Sequence, residues 1–371
     1  MKQLLPWFQG TGMNTSRKTN KRPRKGTVRK ILRLQSSISV FIAIALYTLL
    51  TSYFLSPRVL EITDNDLTFI STDTSSSTRP SLQNAIEKAQ DSVTLICYSV
   101  SDDKIVETLK KAANRNIDVR VIFDPTATPE ADYILGNKIK KYPRCARGLM
   151  HHKLLSIDRD IVWFGSANMT TTSLLQHGNL TLGLKCAPLA KEVENLADTL
   201  IEKRNFSSSP LELVHSPQRF RIYVHPFHGR DSLKDLISRI EGAKKRVFVA
   251  MYTFTHLDLM NALKRARERG LDVRVIFDRE SARQTSKKAF QFCKKHKIRS
   301  AYRTKPGLLH YKTALIDNTL CTGSCNWTKA GFGANDDLIF VIDPLSPSQQ
   351  SWFSQWWEHV EQQSSFSKGV S

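Results

Sequence analysis

Two short blocks of this sequence hold residues that could do chemistry, and they hold the same ones. The first begins at Gly148 (GLMHHKLLSIDRDIVWFGSANM) and the second at Gly307 (GLLHYKTALIDNTLCTGSCNW). Each reads His-x-Lys-x4-Asp, then Gly-Ser-x-Asn. One copy supplies His151, Lys153, Asp158, Ser166 and Asn168, the other His310, Lys312, Asp317, Ser324 and Asn326. Side chains two apart on a strand share a face. Each copy therefore sets an imidazole beside an ammonium, and a hydroxyl beside an amide. An anion with several oxygens suits that set. Two lysines and two Asn amides can hold phosphoryl oxygens while charge redistributes in a transition state. In-line displacement at phosphorus needs a nucleophile and a proton donor on opposite sides. One His can attack and form a phosphohistidine. The other can protonate the leaving oxygen, then deprotonate an incoming water or alcohol. Asp158 and Asp317 complete the catalytic motif, although an Asp after a strand is more often a turn cap, and a mainly structural part is expected of both.

These blocks must be positioned by the elements ahead of them, and those elements are also written twice. SLQNAIEKAQDSVTLICYSVSDDKIVETLKKAANRNIDVRVIFD and SLKDLISRIEGAKKRVFVAMYTFTHLDLMNALKRARERGLDVRVIFD follow one plan. Apolar spacing of three and four predicts helices over 82–89 and 104–114, and over 233–240 and 258–270. Short β-branched runs predict strands over 93–98 and 119–123, and over 247–252 and 273–277. The expected fold class is α/β: two similar lobes, each a mixed β-sheet flanked by helices, with the motifs facing across a pseudo-twofold axis. The expected domains are a basic cytoplasmic tail (1–35), a transmembrane anchor (36–57), a Ser/Thr-rich linker (58–79), a first lobe (80–215) and a second lobe (216–371).

The doubled motif resembles that of the phospholipase D superfamily, over roughly residues 75–345. The resemblance implies a two-lobed α/β fold, a covalent phosphohistidine and no metal or other cofactor. It implies that His151 and His310 are nucleophile and acid, and that Lys153, Lys312, Asn168 and Asn326 bind phosphate with Ser166 and Ser324 in support. Many members carry an acidic residue about thirteen positions after the motif serine, bonded to a catalytic His. Copy two has Asp337 there, whereas copy one has Asn179. A carboxylate fixes an imidazole's tautomer and stabilises its cation better than an amide does. On that basis His310 is expected to be the nucleophile and His151 the acid.

The remaining sequence bears on the substrate. Fifty-five basic against 34 acidic residues give +21, which implies an anionic partner. Ten of those cations precede residue 36, where there is no acid, so the rest carries about +11. Residues 34–57 are uncharged and follow that basic run. About 20 apolar residues span a bilayer, and flanking cations stay cytoplasmic. The expectation is a single-pass protein with extracytoplasmic lobes. Six scattered cysteines form no CxxC pair and no zinc spacing. Tethering, and apolar residues crowding the motifs (Trp163, Phe164, Met169, Leu308, Leu309, Trp327 and Phe332), favour a phospholipid substrate and a phospholipid membrane as partner. Nucleic acid, cleaved by a nuclease of the same superfamily, is the alternative. Trp352, Phe353, Trp356 and Trp357 could enter a membrane interface, but packing on the second lobe is expected.

Overall fold

The computed structural model describes residues 38–48, 50, 67–203, 209–215 and 217–366. Residues 57–371 form one compact unit and residues 1–56 another. The larger unit holds two mixed sheets. The first contains β1 (Thr68–Ser71), β2 (Ser92–Cys97), β3 (Asp118–Phe123), β4 (Lys140–Pro143), β5 (Lys153–Ile157), β6 (Ile161–Gly165) and β7 (Leu180–Lys185). Their order is β1-β7-β6-β5-β2-β3-β4. The second contains β8 (Leu211–His215), β9 (Gln218–Val224), β10 (Arg246–Met251), β11 (Asp272–Phe277), β12 (Arg299–Arg303), β13 (Lys312–Ile316), β14 (Thr319–Gly323), β15 (Leu338–Asp343) and β16 (Ser364–Phe366). Its order is β16-β12-β11-β10-β13-β14-β15-β9-β8. The sequence repeat is thus a topological one: β7-β6-β5-β2-β3-β4 matches β15-β14-β13-β10-β11-β12, and β1 matches β9.

Local signals set the helices. Ile105, Val106, Leu109, Ala112 and Ala113 give Asp103–Asn114 its buried face, and the Asp102 side chain accepts the N–H groups of Lys104 and Ile105 to start it. Pro347–Gln362 begins with a reciprocal Ser346–Gln349 capping box and buries Phe353, Trp356, Trp357 and Val360. Three apolar clusters result. Two lie on the outer sides of the sheets. The third fills the space between the sheets and joins the lobes. There Phe164 and Phe340 stack at 4.0 Å between centroids, and Trp357 stacks on Phe248 at 4.8 Å. Such pairs are worth about 1 kcal/mol beyond their buried area. Trp352 and Phe353 reach Phe69 on β1, each at 5.2 Å, so the C-terminal aromatics also join the two sheets.

Three expectations need correction. The proposed anchor (36–57) lies partly outside the described residues, as does the basic tail. Residues 38–48 are helical and exposed. Among the described residues no helix is long and apolar enough to cross a membrane. The single-pass topology with extracytoplasmic lobes is therefore not supported. Residues 68–79 were expected to be linker, yet β1 pairs with β7 and Asp73 is buried. Polar composition concealed a segment whose hydroxyls and carboxylate are bonded inside the protein. β8 was expected in the first lobe, yet it pairs with β9 at the edge of the second sheet. All six cysteines are free, and only Cys145 is exposed.

Candidate active site

Each motif enters at the catalytic end of its sheet through the same construction. Asp124, directly after β3, is buried and accepts the Met150 N–H at 3.0 Å; Asp278, directly after β11, accepts the Leu309 N–H at the same distance. These carboxylates fix the backbone one residue before each His. β5 and β13 then begin at the motif lysines, Lys153 and Lys312. Each lysine Nζ donates to the carbonyl of its own histidine at 2.8 Å. Tyr98 and Tyr252, just past β2 and β10, stand beside the rings of His151 and His310 at 5.3 and 5.0 Å. Lys153 lies 5.4 Å from the Tyr98 ring centre and Lys312 4.9 Å from that of Tyr252.

The histidines are oriented from the opposite lobe. His151 Nδ1 lies 2.8 Å from Asp337 Oδ1, and His310 Nδ1 lies 3.0 Å from Asn179 Oδ1. Backbone bonds cross in the same sense: His151 N–H donates to Asp336, and His310 N–H donates to Gly178, both at 2.8 Å. Asp337 and Asn179 are held by the serines of their own lobes, Ser324 at 2.7 Å and Ser166 at 2.8 Å. Those serines sit where the strand turns at Gly323 and Gly165. A Cβ at Gly165 would lie 2.2 Å from the Leu180 carbonyl, so only glycine allows the turn.

This crossing removes the pairing on which the expected nucleophile assignment was based. Sequence distance paired Asp337 with His310; the fold hands it to His151. The carboxylate therefore supports the first-lobe histidine. As a carboxylate Asp337 only accepts, so His151 Nδ1 donates and its Nε2 lone pair is free. The Asn179 amide nitrogen donates to the Ser173 carbonyl at 2.9 Å, which turns its oxygen to His310. His310 Nδ1 thus donates as well, and its Nε2 is also the available atom.

Electrostatics disfavour any further positive charge at the site. Burial and the adjacent Lys153 ammonium hold His151 down to about 4. His310 is held well below an ordinary imidazole by burial, Lys312 and Lys153. Burial lowers Lys153 to about 8, and burial with the charge of Lys153 holds Lys312 well below its usual value. Burial alone would raise Asp337, but His151, Ser324 and Lys153 outweigh it and hold the carboxyl far below its ordinary range. Two adjacent buried cations lack an equal negative charge, and a phosphate anion would supply it.

The other expected residues divide. Asn326 Oδ1 accepts the Thr253 N–H at 3.2 Å, while Asn168 Oδ1 is buried with no partner. Asp158 and Asp317 are not at the site. They lie at the far ends of β5 and β13 with left-handed backbones (φ 52° and 49°). Asp158 accepts the N–H groups of Gln90, Asp91 and Ser92, and Asp317 those of Lys244, Lys245 and Arg246. Among the described residues no group of three or more His, Cys, Asp or Glu side chains could hold a metal ion. Tyr98, Tyr252, Asp124 and Asp278 were missed from sequence. Their signal was present, because each pair recurs at the 154-residue offset of the repeat.

A family model described as "Cardiolipin synthase, PLD-like domain" matches residues 82–201 and 236–360. The chain belongs to the phospholipase D superfamily. Superfamily enzymes act on phosphodiester bonds, and the two matched segments are the two lobes that meet at His151 and His310. Phospholipase D of Rickettsia prowazekii is 29% identical over 126 residues, covering 33% of this chain and 61% of that protein. This chain thus spans about three fifths of that relative. Cardiolipin synthase B of Salmonella typhi is 25% identical over 305 residues, 71% of this chain and 73% of that protein. The phosphatidylserine synthase structure from Haemophilus influenzae matches with a TM-score of 0.65 at 14% identity, over 86% of this chain and 91% of that chain, which shows a shared fold.

Proposed function

We propose that this phospholipase D superfamily enzyme is a phosphoric diester hydrolase that cleaves phospholipid headgroups, or passes the phosphatidyl group to an alcohol. The observation that carries this reading is the crossed pairing of His151 with Asp337 and His310 with Asn179, which leaves two Nε2 atoms available beside two buried lysines. His151 Nε2 attacks phosphorus while its Nδ1 keeps its proton, hydrogen-bonded to Asp337. The bond from phosphorus to the headgroup oxygen breaks, and His310 gives that oxygen its proton. Water or an alcohol then loses a proton to His310 and attacks phosphorus, and the phosphorus–nitrogen bond to His151 breaks. The substrate's negative charge between Lys153 and Lys312 favours the protonated His310 that the first step needs. Amide hydrogens of Asn168 and Asn326 hold the phosphoryl oxygens. The phospholipid substrate is supported by the names of the relatives, phospholipase D and cardiolipin synthase B.

The test offers phospholipid vesicles and single-stranded DNA to the full chain, with His151→Ala and His310→Ala as controls. Headgroup release abolished by both substitutions is the expected result. DNA cleavage without lipid turnover would overturn the lipid assignment and make this a nuclease of the superfamily.

A further inference from the structure

Around the entrance to His151 both lobes expose apolar side chains. Leu149, Phe227 and Leu257 are 40%, 45% and 57% exposed. They come from three separate connections, yet all are attached to the loop 325–336. Leu149 donates its N–H to the Asn335 side chain and accepts the Asp336 N–H. The turn bearing Phe227 presses Gly229 against the Phe332 carbonyl, and His225 beside it bonds the Gly331 carbonyl at 2.7 Å. Leu257 follows His256, whose N–H donates to Trp327 and whose ring packs on Phe332. Register places all of them at the catalytic end: Val224 pairs with Leu338, next to Asp337, and Met251 pairs with Lys312.

Cations surround this patch. Arg147, Arg230 and Lys329 are exposed, and Asp231 and Asp258 are the acids beside them. Leu149 has an apolar counterpart in Leu308, whereas two of the other residues have polar ones. At the 154-residue offset Leu257 corresponds to Asp103, and in the matching short helix Lys329 corresponds to Thr171. The first lobe starts these two helices with Asp103 and Thr171, so neither Leu257 nor Lys329 is required to build them. Apolar side chains ringed by Lys and Arg suit the boundary of an anionic bilayer, where the chains enter the acyl edge and the cations meet headgroup phosphates.

We propose that Leu149, Phe227 and Leu257, with Arg147, Arg230 and Lys329, form the face on which this enzyme rests on an anionic lipid surface. The proposal rests on the lipid assignment above and adds that the entrance to His151 is held against the bilayer. Two measurements on the full chain separate the two. Leu257→Asp and Phe227→Asp are compared with the parent on phosphatidylglycerol vesicles and on a short-chain phosphatidylglycerol kept monomeric. The expected result is a fall of about tenfold or more on vesicles, with monomer turnover unchanged. Equal turnover on vesicles would overturn the docking face and leave the lipid assignment standing, whereas no turnover of either lipid would overturn both. In parallel, Leu257→Cys in a Cys145→Ser background takes a polarity-sensitive dye, the other five thiols being buried. A blue shift is expected with phosphatidylglycerol vesicles and not with phosphatidylcholine vesicles. No shift with the anionic vesicles, or a shift only with single-stranded DNA, would overturn the proposal.

Discussion

Asp337 Oδ1 lies 2.8 Å from His151 Nδ1, although 186 residues and two different sheets separate them. Asn179 stands in the same relation to His310 at 3.0 Å. Neither lobe holds both members of either pair, so the proposed mechanism requires the interface between the sheets. That requirement connects the aromatic contacts of Phe164 with Phe340 and of Phe69 with Phe353 to the chemistry.

Asp337→Asn would give His151 the amide that His310 already has. The amide donates as well as accepts, so Nδ1 can lose its donor role and the imidazolium loses its counter-charge. We expect kcat to fall by about 100-fold or more with little change in KM, measured by headgroup release. Asn179→Asp is the converse. A carboxylate beside His310 favours its protonated form, so the limb of the pH–rate profile that reports the acid should move to higher pH. A profile unmoved by Asn179→Asp would mean that His310 is not the acid.

The order of the two histidines can be read from trapping. With a substrate whose leaving group needs no proton, His310→Ala should accumulate phosphoenzyme labelled on His151, because the step that activates water is lost. His151→Ala should give no label. Acid-quenched labelling with a phosphorus isotope checks this, and label on His310 would reverse the assignment.

Much of this was legible in the sequence because a repeat reports on itself. The strands over Ser92–Cys97 and Asp272–Phe277 lie within a residue of where β-branched runs predict them, since buried parallel strands leave little choice of composition. The motif residues were legible because two copies cannot match at every fixed position by chance. What was not legible was how the copies face each other. A one-dimensional offset pairs Asp337 with its own His310, and only the pseudo-twofold arrangement exchanges the partners. β1 and Asp73 were hidden for a different reason. A polar segment reads as linker unless its buried partners are known, and here they are Arg303 and Tyr311, more than 200 residues away.

That buried pair gives a stability prediction. Asp73 bonds Arg303 through both guanidinium nitrogens, Tyr311 at 2.9 Å and Lys305 at 3.5 Å, and the cluster lies against Gly178, beside Asn179. Asp73→Asn strands a buried guanidinium, which costs about 3–5 kcal/mol. Burial would raise the Asp73 carboxyl, but Arg303 and Tyr311 outweigh it and hold it below its ordinary value of 3.8. A depressed folded value means that the unfolded chain takes the proton first. The stabilisation is therefore complete above that ordinary value and is lost as pH falls towards the folded one. Denaturant midpoints of parent and variant should draw together as pH falls below 3.8; a constant gap would show that the charge of Asp73 is not what stabilises.

Buried histidines should weaken the fold at milder acidity. His152 is fully buried, neither ring nitrogen has a hydrogen-bond partner, and burial, which outweighs the attraction of Asp337, lowers it to about 3. Between its ordinary 6.5 and about 3 the unfolded chain binds a proton that the folded chain refuses. Stability therefore rises with pH across that window, by up to about 1.4 kcal/mol per pH unit for one group. His152→Phe removes the penalty and keeps an aromatic ring at the position that matches Tyr311 in the other motif. The variant should match the parent in denaturant midpoint near pH 7.5 and exceed it increasingly from pH 6 to pH 4. Equal slopes in the two proteins would show that His152 takes up its proton in the folded state.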